Sequence, residues 1–462
     1  MSDDGLFAPV LDHGRVHAET TGRAWLQAML DVEAGLAHAC AAAGLIPQRD
    51  AEMIAGACDA GRFDADAIGA EATATGTPVV PLVRALTAAV DGAAAAHVHR
   101  GATSQDVLDT AAMLIAARAL EPLLDDLRGA ADAAAELARR HRDTPAAGRT
   151  LLQHALPTTF GLRAANWMVG LDEVIERLVA VRARLAVQLG GAVGTLASLE
   201  PDGVEVMGRL AHRLGLAEPV LPWHTTRTRP AELAAALGAA AGACGKVARD
   251  IVLLAQTEVG EVSEEAPGRG GSSTMPHKRN PVAAVAAAAA AARTPGLVST
   301  LFGAMSQEHE RAAGAWHAEW RPANDLLRAT GAAAAWVRDS LEHLHVDTGR
   351  IRANLALTAG ATQAERVVTA LAGDLGRLAA HDLVATASTR ALAEGRMLAE
   401  VLAAVPEVAG HLDDGELDRL LHPAAATGSA GALVDRALAH HARTLADAGR
   451  RHPAPPVSKG PQ

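Results

Sequence analysis

The chain has 462 residues and a formal net charge of −11; 49% of its residues are apolar, only 2% are aromatic, and none is tyrosine. Its length exceeds one compact core and suits two or three domains, and the acidic balance excludes non-specific nucleic-acid binding, which needs a basic face. Alanine dominates; it is the best helix former and weak strand material, so the composition predicts an all-α protein.

In chain order, the N-terminal MSDDGLFAPV lacks a basic-then-apolar signal pattern. Residues 1–104 are expected to form a first helical domain, with Trp25, Met29, Val32 and Leu36 at helical spacing and Gly44 as a stop signal. A second domain, 105–346, is predicted as a long-helix bundle. Its helices run from Gln105 to Arg142 (bent near Pro122), Pro157 to Leu189, Pro230 to Val259, and Pro281 to about His343, with Gly, Pro, Ser and Thr gathered in the connections. A smaller helical domain, 347–448, precedes a Pro-rich tail, 449–462, that is expected to be disordered. No strand pattern of useful length stands out. The apolar run Val282 to Ala292 is too short to span a bilayer. Cys40, Cys58 and Cys244 share no metal-type spacing and sit in apolar helical contexts, so buried thiols of a cytoplasmic protein are expected. Small alanine-rich helices bury little area each, which favours an oligomer.

Four segments depart from this background. The first, GRGGSSTMPHKRNP (268–281), sets glycines, hydroxyls, Lys278 and Arg279 directly before an alanine-rich helix. Asn280 followed by Pro281 reads as an N-cap and first helical residue, so free N–H groups at a positive dipole end should favour an anion there. No Gly-Lys-Ser/Thr follows the glycines, so this is not a phosphate-binding P-loop. In the second, HVHRGATSQDVLD (97–109), Thr103 and Asp106 fit a capping box, while Thr103 and Ser104 equally fit hydroxyl donors to a carboxylate. His97 and His99 lack a third ligand at sensible spacing, so no metal is expected. The third, GRTLLQHALP (148–157), places Arg149, Thr150, Gln153 and His154 in an apolar context, as structural polars or pocket lining. The fourth, QEHERAAGAWHAEWR (307–321), carries charges that a solvated helix face explains, but Trp316 and Trp320 are not explained that way.

GSSTMPHKRNP resembles the signature loop of the fumarase/aspartase superfamily, and HRGATSQD and GRTLLQHALP resemble its two other active-site segments in order and spacing. The likeness covers roughly residues 5 to 450. GATSQDVLDTA, LGGAVGTLASL, LPWHTTRTR and QEHERAAGAWHAEW are similar to the lactone-forming cycloisomerase branch. The resemblance implies three helical domains per chain, a homotetramer with each active site shared among three subunits, and proton transfer next to a carboxylate through a doubly charged aci-carboxylate. It implies no cofactor and no metal, and a small tricarboxylate as substrate. Ser272 matches the superfamily's catalytic serine, and Lys278 would stabilise the dianion. His99, Thr103, Ser104, Arg149, Gln153, Ser273, Met275, Asn280 and Arg311 form the implied substrate-binding set.

One departure is informative. Many superfamily lyases carry a histidine acid immediately after the Thr of the GRT segment, whereas this chain has Leu151. A carboxylate leaves readily as an anion, since its pKa is only about 4, so lactone chemistry tolerates the loss. A lyase acting on a succinyl-type substrate and expelling another stable anion is the alternative, and His154 is the possible substitute acid.

Overall fold

A computed structural model describes residues 5–271, 274, 275 and 277–451. The fold is all-α, as the alanine content predicts. Its longest helices are α1 (Gly22–Ala42), α2 (Ser104–Arg140), α3 (Phe160–Arg182), α4 (Thr228–Leu254), α5 (Val282–Gly303), α6 (Ala315–Glu342) and α7 (Ala430–Arg451). The chain divides into two compact units, Met1–Arg128 with Glu173–Gly245 and Ala286–Val337, and Gly129–Asp172 with Lys246–Val285 and Arg338–Gln462.

In the first unit, small residues let helices approach closely. A Cβ added at Gly238 of α4 would stand 2.8 Å from Val298 of α5, and one at Gly245 would stand 3.0 Å from Ala291. Gly35 of α1 likewise sits under Leu210 and Leu214. Leu30, Leu36, Ile54, Leu82 and Leu86 are fully buried. In the second unit, Trp167 donates its indole N–H to Asp250 at 2.7 Å, and Val367, Leu371, Val384, Leu398, Val401, Leu402 and Leu417 form a C-terminal core.

The structure departs from expectation in four places. Two small antiparallel sheets occur, β1 (Pro145–Thr150) with β2 (Gln153–Thr159), and β3 (Val262–Glu264) with β4 (Leu344–Val346). The stretch expected as one helix from Pro281 to His343 is two, because residues 304–314 leave the helix and Arg311 ties them to the carbonyls of Gly191 and Ala192. Helix α5 is longer than the apolar run that predicted it, and by length and composition alone it could cross a bilayer. Its Ala283, Ala284, Ala287 and Ala290 are nevertheless buried within the protein, as in a bundle interior. The expected tail begins inside α7, which continues to Arg451, and residues 452–462 lie outside the described residues.

Candidate active site

In the first unit, α2 begins directly after the Gly101 turn, with Thr103 as the residue before its first turn. Three side chains of that first turn and a half enter a buried polar network. Asp106, 1% exposed, accepts from Thr103 N (3.0 Å), Gly191 N (2.9 Å), Gln188 Nε2 (3.2 Å) and His224 Nε2 (2.7 Å). Asp109 accepts from both Nη atoms of Arg227 (2.7 and 3.0 Å), from Trp316 Nε1 (3.0 Å) and from Gln105 Nε2 (3.0 Å). Arg227 also donates to Glu319, with Nη2 at 2.6 Å. Burial raises the Glu319 pKa, against the opposing pull of Arg227.

The capping-box reading of Thr103 and Asp106 is half realised. The carboxylate takes the Thr103 backbone N–H, but the reciprocal bond to the Thr103 hydroxyl is not formed, and neither the Thr103 nor the Ser104 hydroxyl has a hydrogen-bond partner among the described residues. Arg311 is committed to Gln105 Oε1 (3.0 Å), Gly191 O (3.2 Å) and Ala192 O (2.7 Å). His99 Nδ1 faces Glu33 Oε1 at 2.6 Å; burial lowers the imidazole pKa, but the Glu33 hydrogen bond and charge outweigh it and raise it. His97 faces a different carboxylate, Asp50, at 3.3 Å, so the two histidines do not converge on one point.

In the second unit, the glycine-rich loop is closed at its base. Gly270 O accepts from Asn280 N (2.8 Å) and Asn280 Nδ2 (3.2 Å), and Gly271 bridges to Arg279. Gly270 has φ +77°, and a Cβ there would stand 2.6 Å from Asn280 O, so glycine is required by both torsion and space. Lys278, Arg279, Arg269, Glu264 and Glu265 line a cleft of about 410 Å³. Arg269 is paired with Asp339. Lys278 is exposed and forms no ion pair among the described residues, and Met275 is exposed beside it. Ser272 and Ser273 lie outside the described residues.

The helix mouth after this loop corrects the sequence reading. Asn280 was expected to cap α5 and leave N–H groups for a substrate anion. Instead its amide faces Gly270 O, and the free N–H groups of Ala283 and Ala284 donate to the two oxygens of Glu264, each at 2.9 Å. Ser340 Oγ donates to the same carboxylate at 2.6 Å. The dipole end attracts an anion as expected, but the anion is the protein's own. No local signal foretells a cap that stands 19 residues upstream.

The third segment is the hairpin of β1 and β2, in the second unit. Thr150 pairs with Gln153, so Leu151 and Leu152 form its two-residue tip, with φ of 51° and 65°. Leu151 is 96% exposed. Such turns favour Asn-Gly, and leucine at both positions is strained. A Cβ at Gly148 would run into Leu156 O, which fixes the glycine at the bulge. Arg149 anchors the hairpin by donating to both oxygens of Glu261, at 3.1 and 2.5 Å, and Asn354 adds a third bond at 2.9 Å. Burial would raise the Glu261 pKa, but the bonds from Arg149 and Asn354 and the Arg163 charge hold it below the usual carboxylate range. Gln153 is exposed and His154 half-buried. Burial, then the Arg149 charge, lowers the His154 pKa, which disfavours the protonated form an acid needs.

The first unit thus holds a hydroxyl-bearing helix start on a buried carboxylate network, and the second holds an exposed lysine on a glycine-closed loop and a braced hairpin. The family profile described as lyase matches residues 13–296, and that described as adenylosuccinate lyase C-terminus matches 360–437. The chain belongs to this lyase family of the fumarase/aspartase superfamily. It is 49% identical to a 3-carboxy-cis,cis-muconate cycloisomerase of Bradyrhizobium diazoefficiens, over 94% of this chain and 97% of that protein. It is 47% identical to a nitrosuccinate lyase of Streptomyces davaonensis, over 94% of each. The crystal structure of the 3-carboxy-cis,cis-muconate lactonizing enzyme from Pseudomonas putida superposes with a TM-score of 0.90 at 43% identity, covering 95% of this chain and 99% of that one.

Proposed function

We propose that this chain is a cycloisomerase that closes 3-carboxy-cis,cis-muconate to its carboxymuconolactone, a step of protocatechuate breakdown. The near-full-length likeness to the Bradyrhizobium enzyme carries the assignment. One substrate carboxylate forms a C–O bond to the ring-closing carbon, and the π pair shifts toward the neighbouring carboxylate as an aci-carboxylate dianion. Ser272 then delivers a proton to the neighbouring carbon and recovers one from water. The balance closes with no cofactor and no metal. Lys278, exposed and without an internal counter-ion among the described residues, stabilises the dianion. A serine is a poor proton donor and base in water, so its alkoxide must be favoured by the same charge.

Thr103, Ser104 and Gln153, with hydroxyls or amide exposed or uncommitted, grip further carboxylate oxygens, and Ser273 and Met275 join them as substrate-binding residues. Arg149, Arg311, His99 and Asn280 are already held by protein acceptors, so we assign them to positioning these groups. Leu151 at the hairpin tip supplies no acid, which fits a carboxylate nucleophile and leaving group. We further propose three helical domains (1–104, 105–346 and 347–448), a cytoplasmic location and a homotetramer whose sites each draw on three subunits. Light scattering on the purified protein tests the tetramer.

Added enzyme should bleach the conjugated ultraviolet absorbance of the muconate. A second reading is favoured by the 47% identity to the nitrosuccinate lyase: nitrite released from nitrosuccinate, with muconate untouched, replaces the first assignment.

A further inference from the structure

We propose that Asp106 is the positioning residue that fixes the Thr103 and Ser104 hydroxyls for carboxylate binding. The proposal deepens the functional reading above and rests on it. Asp106 stands at the third position of α2, where a carboxylate is favoured by the helix dipole. An ionised carboxylate offers about four acceptor sites. Each Asp106 oxygen receives two donors: Oδ2 takes the backbone N–H groups of Thr103 and Gly191, and Oδ1 takes His224 Nε2 and Gln188 Nε2. With both oxygens filled and the side chain 1% exposed, Asp106 has no capacity left for a ligand and acts only through its neighbours.

Those neighbours come from three separate stretches of chain, around 103, 188–191 and 224, so one side chain sets where they meet. By taking the Thr103 backbone N–H without engaging its hydroxyl, it orders the turn and leaves both hydroxyls uncommitted. Arg311 closes the same assembly from outside through the Gly191 and Ala192 carbonyls. A purely structural carboxylate would support the fold without any energetic link to Ser104. A positioning one must be coupled to it.

The test is a double-mutant cycle on the full chain, read as the dissociation constant of propane-1,2,3-tricarboxylate, a non-reacting tricarboxylate, by calorimetry. Loss of a hydrogen bond to a charged group weakens binding roughly 10-fold, so Asp106→Asn and Ser104→Ala should each do so. The double variant should bind within about threefold of either single variant, because the effects are not independent. Should Asp106→Asn not fold, His224→Phe removes one donor more gently and should weaken binding in the same coupled way, with His224→Gln restoring it. A double variant weakened by the full product of the two single effects overturns the proposal, as does Asp106→Asn or His224→Phe binding like wild type, or wild type that does not bind the probe. Wild type that binds with coupling but leaves muconate untouched sinks the assigned reaction and keeps Asp106 in its role.

Discussion

The start of α2 and the loop before α5 treat a helix N-terminus in opposite ways. At α2 the protein places its own carboxylate inside, with Asp106 saturated by four donors, and leaves hydroxyls outside. At α5 the carboxylate of Glu264 fills the helix mouth itself, and the cation Lys278 is left outside. The first arrangement offers neutral donors on a stiff base; the second offers charge on a short, glycine-closed loop. The proposed substrate, with several carboxylates and one developing dianion, would use both kinds.

The comparison can be broken at either end. The largest effect is expected from Ser272→Ala, which should lower kcat on muconate by about 10²–10⁴-fold, as loss of a proton-transfer group does, with the melting temperature unchanged. At the buried end, Arg227→Met strands Asp109 and Glu319 without their cation, and should cost about 3–5 kcal/mol in denaturant unfolding.

A pH test addresses the second unit alone. His441 places Nδ1 2.9 Å from Asp172 and Nε2 3.0 Å from Asp132, so each ring nitrogen faces a carboxylate and the doubly protonated ring is favoured. The Asp172 hydrogen bond raises its pKa against burial. A raised folded value means that this stabilisation is complete below the unfolded pKa of about 6.5 and is lost as pH rises through the folded one. The melting temperature should therefore fall over that window, and His441→Gln should flatten the fall. Glu264→Ala, which removes the cap of α5, should cost about 0.5–2 kcal/mol. The smallest change is Leu152→Gly, which relieves a φ of 65° and should alter stability by no more than about 1 kcal/mol.

Much of this was legible in the sequence because it is local. Alanine content fixed the helical class, and Pro281 and the Gly-rich run before it marked the start of α5 to within one residue. Half of the Thr103–Asp106 box was readable from spacing alone. What escaped depends on distant partners. The β1–β2 hairpin has no alternation to betray it, since its anchor is Arg149 meeting Glu261, 112 residues on. Asn280 has a good capping sequence, yet Glu264 takes its place because a carboxylate reaching two N–H groups outcompetes an amide. The break at residues 304–314 is likewise made by Arg311 reaching back about 120 residues. His224, Arg227 and Glu319 read as ordinary polar residues until the network joins them.

The decisive measurement is the rate of muconate absorbance loss with Lys278→Met against wild type. If Lys278 holds the dianion, kcat should fall by about 10²–10³-fold while KM changes little. Turnover by Lys278→Met at the wild-type rate would contradict it.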